Sequence, residues 1–227
     1  MMKKFKGLIF DFNGVLLWDT HLHDEAWREF SKKLRGHPLA HDEMVQHVHG
    51  QPNKNVQEYL LGRPVPKEES QKFLEEKEAL YKNACLALGS EFKLSPGAIE
   101  LLEQLRRKKV PFTIATSSEI GNVRFFFDHL HLGTWFDMDA VAFDDGTFPG
   151  KPAPDIYLKA ARILSLRPED CVVIEDARSG IAAAHAAGTG HIVAIGPKEM
   201  HETLMKIEGV NEVVEKLSEV DVPKLFD

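Results

Sequence analysis

The chain has 227 residues, 43% of them hydrophobic, enough to bury a large core as one big domain or as one domain carrying an insert. Its formal net charge of -7 and pI near 5.9 argue against a general nucleic-acid binder, which needs clustered Lys and Arg against backbone phosphates; small anionic ligands are left to a local positive site. No stretch approaches a membrane span, the apolar part of residues 1–10 is too short for a signal peptide, and Cys85 and Cys171 suit two reduced thiols of a cytoplasmic protein.

In chain order, the first apolar run covers residues 5–10 and ends in Leu8-Ile9-Phe10-Asp11-Phe12-Asn13-Gly14-Val15, a buried strand with a carboxylate at its C-terminal tip. The next strand-like run lies about a hundred residues further on, far beyond an ordinary crossover, so a folded insert is expected between them. Residues 19–91 read as helices throughout: His21 to Leu34, His41 to Val48, Lys54 to Leu60 and Lys67 to Leu88, punctuated by Gly36-His37-Pro38, Gly50-Gln51-Pro52 and Gly62-Arg63-Pro64. This predicts a helical cap at 19–91 inserted in an α/β core at 1–18 and 92–227. His21 and His23 stand two apart and face different sides of a helix, whereas Trp27 and Phe30 share a face and read as cap core. His47, His49, Gln51 and Asn53 flank a cap turn, either as substrate-reading groups or as surface polarity.

Beyond the insert, Ser95-Pro96 introduces an amphipathic helix with the stripe Ala98, Leu101, Leu102 and Leu105, closed by Arg106-Arg107-Lys108-Lys109, whose cations complement the helix dipole. Further strand-like runs at 110–115, 139–143, 171–174, 191–195 and 212–214 alternate with helical patterns, which predicts a mostly parallel, doubly wound Rossmann-like sheet. Thr116 and Ser117 end the second run, and Phe125-Phe126-Phe127 fits a helix on the sheet with one ring partly exposed. Asp144-Asp145-Gly146 makes a turn, Lys151 stands in a Gly-Lys-Pro turn, and Glu175-Asp176 ends Val172-Val173-Ile174. Ile181 to Ala187 is a small-residue helix closed by Gly188.

In an open parallel sheet, ligands bind outside the carboxyl ends of the strands, where the strand order reverses. Asp11, Thr116, Lys151, Glu175 and Asp176 all meet that condition from separate parts of the chain. Carboxylates gathered there without a cation would repel one another and take up protons, so a bound Mg2+ is expected, and Lys151 would supply charge for a phosphoryl group. Metal-assisted phosphoryl transfer is the expected chemistry.

On these residues the chain resembles the haloacid dehalogenase superfamily of phosphohydrolases, near the branch of sugar-phosphate phosphatases and beta-phosphoglucomutase. The family's first motif, Asp-x-Asp-Gly-Val/Thr, is matched by Asp11-Phe12-Asn13-Gly14-Val15 except at its second acid. Its second is matched by Ile114-Ala115-Thr116-Ser117, its third by Gly150-Lys151-Pro152-Ala153-Pro154-Asp155, and its fourth by Glu175-Asp176-Ala177-Arg178-Ser179-Gly180. The resemblance implies that Asp11 attacks phosphorus to form an aspartyl phosphate, with Mg2+ held by Asp11, the main-chain carbonyl of Asn13 and Asp176, and by Glu175 directly or through water. It implies that Thr116 and the Ser117 amide hold phosphate oxygens, that Lys151 neutralises them, and that Gly14 keeps the backbone there uncrowded. His23 near the hinge, with His49 and Asn53, would touch substrate.

Asn13 departs from the family pattern. An acid at this position protonates the leaving oxygen and later activates water, whereas a carboxamide donates a hydrogen bond but moves no proton. The residue fits a substitution that traps a complex, a slow or repurposed enzyme, or chemistry that needs no acid. The expected function is therefore a Mg-dependent phosphatase of a small phosphorylated metabolite, a sugar phosphate, impaired at residue 13. Alternatives are a mutase, a phosphonate-cleaving enzyme using a cap lysine such as Lys54, and a catalytically weak phosphometabolite-binding regulator. The expected form is a monomer with no nucleic-acid or membrane partner.

Overall fold

Gly7–Phe10 forms strand β1, buried at every residue, as a run apolar on both faces requires in the middle of a parallel sheet. In the computed structural model of the chain, residues 4–48 and 53–227 are described. The chain divides into two compact units: one comprises the residues up to Trp18 together with Lys93–Asp227, and the other is Asp19–Phe92.

The second unit is all helical: α1 (Thr20–Arg35), α2 (His41–His47), α3 (Asn53–Leu61) and α4 (Lys67–Ala87). Gly36 ends α1 with φ 83, a left-handed geometry that costs glycine little, and three cations occupy the last turn where the helix dipole favours them. Trp27, Phe30, Leu39, Met44, Val48, Val56 and Leu60 form the core of this unit, with Phe73 and Leu80 packed on it. Trp27 and Phe30 meet edge to face at 5.9 Å, which makes them packing residues.

The first unit is built on a six-stranded sheet. Its remaining strands are β2 (Phe112–Glu119), β3 (Ala142–Asp144), β4 (Cys171–Glu175), β5 (His191–Ile195) and β6 (Glu212–Val214), in the order β3-β2-β1-β4-β5-β6 with every pairing parallel. Helices α5 (Ala98–Lys108), α6 (Ile120–Leu130), α7 (Asp155–Ile163), α8 (Arg178–Ala186), α9 (His201–Met205) and α10 (Val222–Phe226) follow the strands. The chain moves outward from β1 to β2 and β3, then returns to β4 on the other side of β1. The carboxyl ends of β1 and β4 therefore flank the reversal of strand order.

Small residues let α8 lie close to the sheet: Gly180, Ala183 and Ala184 are buried, and the two alanines pack with Ile9, Val173 and Ile192. Elsewhere Phe10 meets Phe112 and Phe136 edge to face, each at 6.3 Å, and Phe12 stacks on Phe126 at 4.4 Å. Phe125 and Phe126 are buried on α6 and Phe127 is partly exposed.

Two details add to the expected elements. Gly97, at φ 83, stands between the introducing Ser95-Pro96 and the first residue of α5, and the Ser95 hydroxyl donates to the Val15 carbonyl at 2.6 Å, which ties that turn to the loop after β1. Strand β2 runs on to Glu119, past the apolar run, with an irregular register between Ala115 and Glu119 where it pairs with β3. Pairing with a neighbouring strand extends β2 into a polar Thr-Ser-Ser segment that hydrophobicity alone cannot identify as strand. Among the described residues, no helix is long and apolar enough to cross a membrane.

Candidate active site

Asp11 follows β1 directly, and its amide donates to the Ile174 carbonyl of β4 at 3.0 Å, which fixes the carboxylate at the seam between the two central strands. The chain then folds back: the amides of Val15 and Leu17 donate to the Phe12 carbonyl, and Gly14 donates to Leu17 at 2.7 Å. Gly14 sits at φ 85, and a Cβ built on it would lie 2.1 Å from Asp176 Oδ2, so this backbone passes directly against the Asp176 carboxylate. Only glycine fits there, by conformation and by space.

Asp11, Glu175 and Asp176 offer oxygens that all lie within 4.8 Å of one another. Lys151 reaches into the cluster, with Nζ 2.6 Å from Asp11 Oδ1 and 2.6 Å from Glu175 Oε1. Burial pushes Asp11 up to about 7, opposed by Lys151 and reinforced by Glu175. Burial first, then Glu175 and Asp11, raise Asp176 well above the usual carboxylate range. Burial by itself would lower Lys151, but the charges of Asp11 and Glu175 outweigh it and hold the ammonium protonated.

Glu175 is fully engaged by protein groups. Its Oε1 accepts from Lys151 and from the Tyr157 hydroxyl at 3.1 Å, and its Oε2 accepts the Ala177 amide at 2.7 Å. The carboxylate occupies the space where a Cβ on Gly180 would stand, 1.5 Å from Oε1. Lys151 also lies over the Tyr157 ring, 5.0 Å from its centre. Asp11 and Asp176 are therefore the acids with oxygens to offer a cation. Three carboxylates with one ammonium leave an excess of negative charge, and an all-oxygen donor set suits a hard divalent ion such as Mg2+. The residues fit that group.

Thr116 is buried in β2, and its hydroxyl oxygen accepts the Ser118 amide at 3.0 Å, while Ser117 is exposed. Ser118 donates through Oγ to Asn13 Oδ1 at 2.9 Å and so joins the end of β2 to the loop after β1. Sequence reasoning missed Ser118 and Tyr157. The signal for Ser118 was the third hydroxyl of Thr116-Ser117-Ser118; Tyr157 lies on α7 beside the buried Ile156, Ala160 and Ala161, and nothing local marks its hydroxyl as a partner of Glu175. Asp144 and Asp145 serve the turn: they accept the amides of Gly146 and Thr147, and Asp145 also pairs with Lys159 at 2.6 Å.

In the helical unit, His23 stacks on Tyr81 at 3.9 Å, with Nδ1 2.8 Å from the buried Lys77 ammonium. The ammonium can only donate, so Nδ1 is the acceptor and Nε2, 3.5 Å from Asp19 Oδ2, carries the ring proton. Tyr81 donates to the same Asp19 oxygen. Asn53 opens α3 and is exposed, Lys54 is exposed and pairs with Glu58 at 3.7 Å, and His47 stacks on Tyr59 at 3.9 Å. His49 lies outside the described residues.

A model of the haloacid dehalogenase-like hydrolase family matches residues 5–188, which takes in the helical unit, the sheet unit from β1 through α8 and all four motifs. The chain belongs to that family. Hexitol phosphatase A of Escherichia coli (strain K12) is 28% identical to this hydrolase over 222 residues, covering 96% of the chain and 95% of that protein. Fructose-1-phosphate phosphatase YqaB of the same organism is 31% identical over 191 residues, covering 83% and 95%. Among solved structures, a family IA, variant 3 hydrolase from Entamoeba histolytica HM-1:IMSS superposes with a TM-score of 0.91 at 42% identity, covering 96% of each chain. The sheet with an inserted helical unit is the fold of this family.

Proposed function

We propose that this hydrolase cleaves a phosphoric monoester of a small metabolite, a sugar phosphate, by covalent attack of Asp11, with Mg2+ as cofactor. One observation carries the reading: a buried ammonium, Lys151, stands 2.6 Å from both Asp11 and Glu175 in a cluster that includes Asp176, at the tips of the two central strands. The names of the two Escherichia coli relatives support the sugar-phosphate class.

Asp11, Asp176 and the carbonyl of Asn13 would hold the ion. When bound, it supplies the positive charge that keeps both acids ionised and offsets charge on the phosphoryl group. An Asp11 oxygen forms a bond to phosphorus while the ester oxygen departs with its electron pair; water then attacks the same phosphorus and frees the carboxylate. Lys151 balances charge on the phosphoryl oxygens, and Glu175 keeps that ammonium aimed. The Thr116 hydroxyl, its oxygen already accepting, has its proton to give to a phosphoryl oxygen, beside the Ser117 amide.

The test is inorganic phosphate release from a panel of hexose and hexitol phosphates with and without Mg2+. Release is expected with the metal, is expected to stop on chelation, and is expected to disappear in Asp11→Asn. Calorimetric Mg2+ binding should weaken in Asp176→Asn. Release that survives Asp11→Asn, or no release from any ester at saturating Mg2+, would overturn the reading.

A further inference from the structure

We infer, on the hydrolase reading above, that Lys159 is a positioning residue: its ammonium braces the loop between β3 and α7 and so holds Lys151 against Asp11 and Glu175. Two rings and a carboxylate converge on this one cation. Lys159 Nζ lies 2.6 Å from Asp145 Oδ2, 5.1 Å from the centre of the Phe143 ring and 5.3 Å from that of Phe148. A cation within about 6 Å of a ring centroid is attracted by the ring's negative face. Phe143 belongs to β3, before the turn, and Phe148 follows the turn, three residues ahead of Lys151. The ammonium therefore closes the turn from both sides and fixes where the approach to Lys151 begins. The hydrogen bond from Lys159, with those from Thr147, holds the Asp145 carboxyl well below the usual carboxylate range, so the ion pair persists at ordinary pH.

The bonds within the loop cannot replace that brace. Asp144 accepts the Gly146 amide at 2.9 Å and Asp145 the Thr147 amide at 3.0 Å, which shapes the turn without tying it to another element. Among the described residues, the bond from Lys159 to Asp145 is the one hydrogen bond that reaches residues 145–149 from another element. Lys151 depends on this anchorage: its side chain is 8% exposed, and it pairs with two acids at 2.6 Å only if the loop presents its backbone in one place. Tyr157, whose hydroxyl meets Glu175, stands on α7 with Lys159, so one helix fixes both the acid that receives the ammonium and the loop that delivers it. Without the brace, Lys151 keeps its charge but spends less time aimed at the phosphoryl oxygens. An exposed ion pair by itself contributes little, and the two rings reinforce this one, so the effect on turnover is modest.

The experiment measures Mg2+-dependent hydrolysis of p-nitrophenyl phosphate and, on the same proteins, acetylation of Lys151 by limiting acetic anhydride. Labelling is read by peptide mass spectrometry against the exposed Lys54. The natural chain, Lys159→Met, Lys159→Arg and Asp145→Asn are compared, with near-UV circular dichroism to check folding. Lys159→Met keeps the apolar stem and drops the charge. It is expected to lower kcat by about threefold to tenfold with KM nearly unchanged, and to raise Lys151 labelling by at least about threefold. Lys159→Arg, which keeps a cation between the rings, is expected to restore both, and Asp145→Asn to act in the direction of Lys159→Met but more weakly. Unchanged Lys151 labelling or unchanged kcat in Lys159→Met overturns the inference and leaves the hydrolase reading intact, as does an equal loss in Lys159→Arg. Labelling needs no turnover, so hydrolysis absent from all four proteins with the labelling contrast present overturns the hydrolase reading and leaves the brace on Lys151 standing.

Discussion

Each side chain at the strand tips is constrained by what its neighbours leave open to it. Glu175 shows this best: read along the chain it is one of two adjacent acids, but its two oxygens are taken by Lys151, Tyr157 and the Ala177 amide. It acts as the anchor of Lys151, and the Tyr157 hydroxyl braces it. Tyr157→Phe removes that brace while keeping the ring beneath the ammonium, so denaturant titration should show a loss of roughly 1.5–3 kcal/mol, the range for a hydrogen bond to a charged group. Turnover is expected to fall with KM unchanged, since Lys151 loses aim and not charge; unchanged stability together with unchanged kcat would remove Tyr157 from the site. The residues that sequence motifs mark were legible because a charge ending an apolar run is a local signal. Tyr157 and Ser118 were not, because their importance lies in partners 18 and 105 residues away.

Among elements, the helical unit has a hydrophobic core of its own, centred on Phe30, which meets Trp27 at 5.9 Å and Phe73 at 5.7 Å. Truncating a buried aromatic costs about 3–5 kcal/mol through lost burial and the cavity left behind. Phe30→Ala should therefore lower amide hydrogen-exchange protection across α1, α3 and α4 while β1 and β4 keep theirs; an equal loss in the sheet would show that the unit does not open by itself. The four helices could be read from periodicity and Gly/Pro punctuation. The seam they enclose could not: His23 meets Lys77 across 54 residues, and a buried lysine on α4 carries no periodic signal beyond its own position. Strand β2 makes the same point, since its polar last residues take strand geometry from pairing with β3.

For the molecule as a whole, stability should fall on the acid side, partly through His191 at the start of β5. Burial lowers its pKa from the ordinary 6.5, outweighing Glu212 at 3.6 Å, and its ring lies 5.4 Å from Phe5. The fold keeps this ring neutral, so below pH 6.5 the unfolded chain binds a proton that the folded one resists, and stability drops as pH falls toward the depressed value. His191→Phe is expected to flatten that limb by at most about 1.4 kcal/mol per pH unit, the ceiling for one proton, as read from urea midpoints between neutral pH and pH 5. Identical limbs in the two proteins would assign the acid sensitivity elsewhere. By itself the sequence determined the alternation of strands and helices, the place of the insert, and which charged residues end buried runs, because burial on a strand or helix face is written in the period of nearby residues. Only the tertiary structure decided which acids hold Lys151 and which way the Asn13 amide turns. Those outcomes depend on hydrogen bonds between β1, β2, β4 and α7, whose neighbours are set by strand order and not by sequence distance.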